Sequence, residues 1–201
     1  MQVINQIESF VVNFVYEKLG LALNYAEYVY ILIALTAILS LGWLANFLVK
    51  NFLLRALRSI AEKTKTRVAD YLLQESFFLR LSHLAPAFII SALGQVVFAG
   101  YPMVIGLIDV LVNLYLVGIA LWVFDALIDT IYKLYEESSF STKLPLKGIC
   151  QAIKILVNGT GIIFILSILL DKSPVYFFSG LGALTAVLLL VFKDVILGLV
   201  A

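Results

Sequence analysis

The stretch Ser173-Pro174-Val175-Tyr176-Phe177-Phe178-Ser179-Gly180-Leu181-Gly182-Ala183-Leu184-Thr185-Ala186-Val187-Leu188-Leu189-Leu190-Val191-Phe192 decides how this chain is read. Its twenty residues carry no charge, and they run into Lys193-Asp194 before the sequence turns apolar again from Val195. A helix of that length covers about 30 Å, the thickness of a bilayer's hydrocarbon core. The composition is not that of a uniform lipid anchor. Ser179, Gly180, Gly182, Ala183 and Ala186 bury little area but let backbones approach closely, as helix contacts inside a membrane require. At about 100° per residue, Ser179, Gly182, Ala183 and Ala186 recur at i, i+3, i+4 and i+7 and form one stripe. Phe178, Gly182, Thr185, Leu189 and Phe192 lie roughly a right angle from it, and Gly180, Leu184, Val187 and Val191 lie on the far side from those. A helix in a closed ring needs two lateral faces and one facing the axis, and this division supplies all three. The same stripes also suit a bundle packed within one subunit.

Working outward, the rest of the chain has the same character. Apolar residues make up 63% and charged residues 13%, against about 45–50% and about 25% in soluble domains. Four more spans have the length to cross a membrane: Tyr28 to Val49, Leu81 to Tyr101, Met103 to Phe124 (interrupted by Asp109), and Gly148 to Leu170 with Lys154 near its start. The expected fold is an all-α membrane protein, with five transmembrane helices preceded by a short interfacial amphipathic helix. Residues 1–25 supply that first helix, because Ile4, Ile7, Val11 and Phe14 share a face while Asn5, Gln6, Glu8, Ser9 and Asn13 lie mostly elsewhere. They lack the positive start and small-residue cleavage site of a secretory signal. Residues 26–172 make a four-helix membrane region and residues 173–201 the last helix. Ala99-Gly100-Tyr101-Pro102 predicts a tight corner between the second and third spans, with Pro102 opening the next helix.

Basic residues set the expected orientation. Lys50, Arg55, Arg58, Lys63, Lys65, Arg67 and Arg80 lie between the first two spans, and Lys133, Lys143 and Lys147 between the third and fourth. Lys18 and Lys172 alone mark the alternate segments. By the positive-inside rule the N-terminus is outside and the C-terminus in the cytoplasm, with five spans giving the required odd parity. The basic segment from Lys50 to Arg80 contains Tyr71, Phe77 and Phe78, yet its place between two membrane helices argues for anionic lipid headgroups as partner and against nucleic acid.

Enzymatic readings fail on residue supply. There is one histidine, His83, so no H-E-x-x-H exists, and no G-x-S-x-G occurs. His83 is expected as an interfacial polar residue. Cys150 is the sole cysteine, which excludes an intrachain disulfide and a thiolate metal cluster. No catalytic residue, metal or cofactor is expected. Asp125 and Asp129 share a helical face but fall at the end of the third span near Lys133, where headgroup water reaches them. Asn158, Gly159, Thr160 and Gly161 read as a close-packing or kink site. Asp109, Asn113 and Asn158 are the polar material for the alternative function, a secondary transporter with a site near the bilayer centre. A scaffold that only organises lipid is a third class.

The run from Phe177 to Asp194, followed by Ile196-Leu197-Gly198, resembles the pore helix of the small-conductance mechanosensitive channel superfamily. Gly180-Leu181-Gly182-Ala183-Leu184-Thr185-Ala186 with Phe192-Lys193-Asp194 is similar to the miniconductance branch, which has five membrane helices. The resemblance implies a homoheptameric channel subunit of the bacterial inner membrane, opened by tension and protecting against osmotic down-shock. Residues 26–172 would then sense tension, and Thr185 and Leu189 would match the two constricting rings; on the face pattern itself, Leu189 and Phe192 form the apolar barrier of the inward side. The helix would bend at Lys193 and Asp194. Thr185 departs from the large apolar residue usual there. Members also continue into a cytoplasmic β-domain and vestibule, which the residues up to Ala201 do not contain.

Overall fold

The structure, a computed structural model, describes residues 2–19, 23–64, 77–136 and 146–200. They form seven helices: α1 (Gln2–Leu19), α2 (Leu23–Thr64), α3 (Phe77–Ser82), α4 (Leu84–Val97), α5 (Pro102–Glu136), α6 (Leu146–Leu169) and α7 (Pro174–Val200). Five segments are long and apolar enough to cross a membrane: Tyr25–Ala56, Leu79–Val97, Pro102–Glu136, Leu146–Leu169 and Pro174–Val195. The chain is an all-α membrane protein with a short helix ahead of its five spans. Lys65, Arg67 and Tyr71 of the basic segment, and Lys143, lie outside the described residues.

Two helices outrun the bilayer. With 42 residues, α2 is about 63 Å long, and the 35 residues of α5 reach about 52 Å. Both overshoot at the same end of the bundle, the basic end, which also receives Lys50, Arg55, Lys133 and Lys147.

The second span is not one helix. Pro86 has no N–H to give the Ser82 carbonyl, so the α-helical ladder breaks one turn upstream. His83 occupies the break, and its N–H bonds the Arg80 carbonyl three residues back at 3.1 Å. Ser82 is fully buried there, donating Oγ to the Leu79 carbonyl at 2.7 Å and lying 3.1 Å from Asn46 Oδ1. At the other end α4 stops at Val97, and the Tyr101 N–H closes the corner onto the Phe98 carbonyl at 2.7 Å. Pro102 then opens α5 as expected, since the first helical position has no use for the missing N–H.

Ile38 of α2, Ala87 of α4, Phe98 of the corner, and Ile108 and Val112 of α5 form the buried core. Small residues set the approach of these helices: a Cβ on Gly94 would lie 3.2 Å from Ile108, and one on Gly42 3.4 Å from Pro86. The amphipathic helix α1 packs along α2 with Val15 buried. Glu8 accepts a hydrogen bond from the Tyr101 hydroxyl at 2.8 Å, fastening α1 to the corner. Burial, together with the Glu8 carboxylate, pushes that hydroxyl's pKa up. Ile7, Phe10 and Phe14 remain exposed, with the two phenylalanine rings stacked at 6.4 Å. Of the predicted apolar face, Ile7 and Phe14 point outward with Phe10; Val11 is half-buried, and the Ile4 side chain is outside the described set.

On the other side α6 packs antiparallel to α5. Gly161 is buried against Leu121, and a Cβ there would fall 2.8 Å from Leu121 Cγ and closer still to its methyls. The close-packing role expected of the Asn158-to-Gly161 run rests on this one glycine; Gly159 faces open space, and α6 continues through the run without a break. Gly161→Ala is expected to destabilise the folded protein by about 1–3 kcal/mol through overpacking. Adding Leu121→Ala should recover most of that loss, a coupling that thermal unfolding of the four-member double-mutant cycle in detergent will measure.

Candidate functional site

The turn that aims α7 is built from local chemistry. Asp171 takes a positive φ of 50°, and the Lys172 N–H reaches back to the Ser167 carbonyl at 3.0 Å. This six-to-one bond past a left-handed residue is the Schellman ending of a helix. The Ser167 hydroxyl donates to the Lys172 carbonyl, tightening the same loop. Ser173 then caps α7: its Oγ accepts from the Val175 N–H at 3.3 Å, and Pro174 holds the first helical position. Four residues join α6 to α7, which leaves little slack between the two helices.

Beyond this turn α7 has almost no cover. The other spans bury 11–17% of their most apolar window, whereas the Pro174–Val195 segment buries 0%. Val187, Leu189 and Leu190 are each at least 60% exposed. Among the described residues its packing partner is α6, near the turn. Ser179, Gly182, Ala183 and Ala186 all lie on the open surface, and a Cβ at Gly180 or Gly182 would meet nothing within 4 Å. Unlike Gly161, which makes room for Leu121, these two glycines, like Gly106, Gly118 and Gly159 on the other spans, make room for nothing among the described residues.

The residues matched to the constrictions are placed along this bare helix. Thr185 donates its hydroxyl to the Leu181 carbonyl at 2.8 Å, so its proton is spent within α7 and the side chain presents a methyl group and oxygen lone pairs. Leu189 and Phe192 follow at one-turn intervals and are exposed. Lys193 lies about 29 Å along the helix from Pro174, a distance close to the thickness of a bilayer's hydrocarbon core. The bend expected at Lys193 and Asp194 has no break in the helix to mark it: α7 runs unbroken from Pro174 to Val200.

The second set of polar residues is arranged differently from expectation. Asn158 does not meet Asp109 and Asn113. Its Nδ2 donates to Asp125 Oδ1 at 3.3 Å and to the Lys154 carbonyl at 2.9 Å. Asp109 lies sixteen residues up α5 from Asp125, about 24 Å away. Asp129 is ion-paired with Lys154 at 2.6 Å while its side chain keeps 43% exposure, so the face shared by the two carboxylates is partly solvated and partly turned to α6. The spacing of Asp125 from Asp129 and of Lys154 from Asn158, four residues in each case, carried this signal. Antiparallel packing of the two helices was needed to use it.

At the same end Arg80 leaves the basic segment and enters the bundle. Its Nη1 donates to the Trp122 carbonyl at 2.7 Å, and its guanidinium stands 4.9 Å from the Trp122 ring centre. His83 lies against the same indole at 6.0 Å, as an interfacial residue should. Arg80 therefore ties α3 to α5. Cys150 is a free, half-buried thiol in the first turns of α6.

No protein-family model matches this chain, and no solved structure matches it.

The turn yields a direct check on the aiming of α7. Asp171→Gly removes the cost of a Cβ in a left-handed residue and is expected to stabilise the protein by about 1 kcal/mol or less. Thermal unfolding in detergent should show a raised midpoint.

Proposed function

We propose that this chain is the membrane portion of a tension-gated channel subunit, with several copies of α7 surrounding a water path. The observation that carries the reading is a helix of 27 residues with no buried residue in its membrane span and a small-residue stripe that its own chain leaves empty. Lipid alone gives no reason for that stripe, because tails gain nothing from glycine and alanine in register; a second helix does. In the ring, Ser179, Gly182, Ala183 and Ala186 meet the neighbouring subunit, while Thr185, Leu189 and Phe192 face the axis. The stoichiometry implied by the resemblance is seven.

Such an axis is apolar at Leu189 and Phe192, and apolar constrictions stop water and ions without a solid plug. Thr185 can only accept hydrogen bonds from water there, since its hydroxyl proton is donated to the Leu181 carbonyl. Gating is a two-state equilibrium in which tension favours the state of larger membrane area, as a ligand favours the state it binds better. Spans one to four face lipid and sense that area; the four-residue turn at Asp171 passes their movement to α7. The membrane is the bacterial inner membrane, with the N-terminus periplasmic and the basic end cytoplasmic, in keeping with the clustering of basic residues there.

Patch-clamp of the protein in liposomes under graded suction tests the reading. Tension-dependent conductance is expected, and silence up to membrane rupture would sink it. Leu189→Ser hydrates the constriction and is expected to lower the opening threshold; a threshold equal to the parent's would remove Leu189 from the gate. Ala186→Leu is expected to force neighbouring helices apart, so that native mass measurement finds smaller or broken assemblies.

A further inference from the structure

The α5–α6 contact holds a feature that the pore reading does not use. Going four residues back along α5, from Asp129 to Asp125, goes with four residues forward along α6, from Lys154 to Asn158. One more step sets Leu121 against Gly161. Three successive rungs therefore join one antiparallel helix pair: an ion pair of 2.6 Å, a carboxylate–amide contact of 3.3 Å, and an apolar knob in a glycine hole. The ion-paired side chains retain 30% and 43% exposure, for Lys154 and Asp129 respectively. The rungs sit where α5 passes out of its apolar segment toward the basic end.

Polar rungs and apolar rungs resist displacement differently. Leucine against a flat helix tolerates a slip to the next turn, since any apolar neighbour will serve. A slip of one residue takes Asp129 from Lys154 and separates the two charges at the edge of the membrane, where their partial exposure lowers the cost without removing it. Paired polar groups in this position specify register more than they add stability. The helix they hold, α6, is joined to α7 by the tight turn at Asp171 to Ser173, so any tilt or slide of α7 pulls on α6.

We propose that Asp129–Lys154, supported by Asp125–Asn158, is a latch that fixes the register of α6 against α5, and that α7 moves by working against it. The latch itself is a statement about the helix pair; its effect on gating rests on the channel reading. Releasing it frees α6 to shift while the Leu121–Gly161 contact keeps the pair together, so the latch sets how much tension α7 needs to move.

Cys150 reports on the latch without any engineered label. It lies four residues before Lys154 on the same face of α6 and is a half-buried free thiol. In proteoliposomes the labelling rate of Cys150 by a maleimide is expected to rise at least threefold in Asp129→Asn and in Lys154→Met. The charge swap carrying both Asp129→Lys and Lys154→Asp is expected to return it to within twofold of the parent, and Asp125→Asn, which keeps an acceptor for Asn158, is expected to leave it unchanged. Labelling at the parental rate in both single variants, or a swap that labels as fast as they do, would overturn the latch. If the single variants do not accumulate as helical protein by circular dichroism, recovery of folded yield in the swap supports the latch, and its failure overturns it. In patch-clamp the single variants are expected to open at lower tension and the swap at the parental tension. A parent that never conducts removes the channel reading alone, because the labelling result stands apart from it.

Discussion

A bilayer offers no hydrogen bonds to a backbone and little reward for pressing one apolar surface against another. That constraint orders this molecule. Each span closes its own backbone ladder as a helix, and what joins spans to one another is shape and the few polar groups available. Gly94 meeting Ile108, Gly42 meeting Pro86, and Gly161 meeting Leu121 are the places where helices approach because a side chain was left out. The polar contacts lie at the ends: Glu8 with Tyr101 at the corner, Ser82 beside Asn46, Arg80 on the Trp122 carbonyl, and Lys154 with Asp129.

The same constraint makes α7 informative. In the proposed assembly, Gly180 and Gly182, which meet nothing among the described residues, are where a neighbouring copy approaches. The functional proposal grows from the asymmetry in burial between α7, whose span buries nothing, and the four other spans, since open glycines such as Gly106, Gly118 and Gly159 occur on those as well. It joins a bare helix to a short, well-capped turn, and so gives membrane forces on the bundle a stiff route to the last helix. The register latch on α5 and α6 lies on that route. Arg80 lies off it, holding α3 to α5 at the basic end.

Much of this was legible in the residues and some was not. The five spans, the corner at Ala99 to Pro102, and the helical N-terminus follow from charge-free length, from Pro102 at a first helical position, and from spacing in the first 25 residues. The break at His83 was legible in principle, because Pro86 lies four residues after the carbonyl it cannot serve; hydropathy alone runs straight through it. The company kept by Asn158 was not. Its partner Asp125 is 33 residues away, and only the pairing of α5 with α6 selects that carboxylate over Asp109 and Asn113.

Sequence by itself determined that this protein lives in a membrane, that it crosses with five helices, and which faces of the last helix are small, large or hydroxylated. Those properties are local: they depend on how far a run of uncharged residues extends and on a rotation of about 100° per residue. Tertiary structure decided which faces are used up inside the chain and which are left open. Gly161 and Gly182 look alike as residues in apolar helices, yet one is filled by Leu121 and the other faces empty space. Burial and register are relations between helices distant in sequence, set by how side chains interlock across them, and no local pattern contains that information.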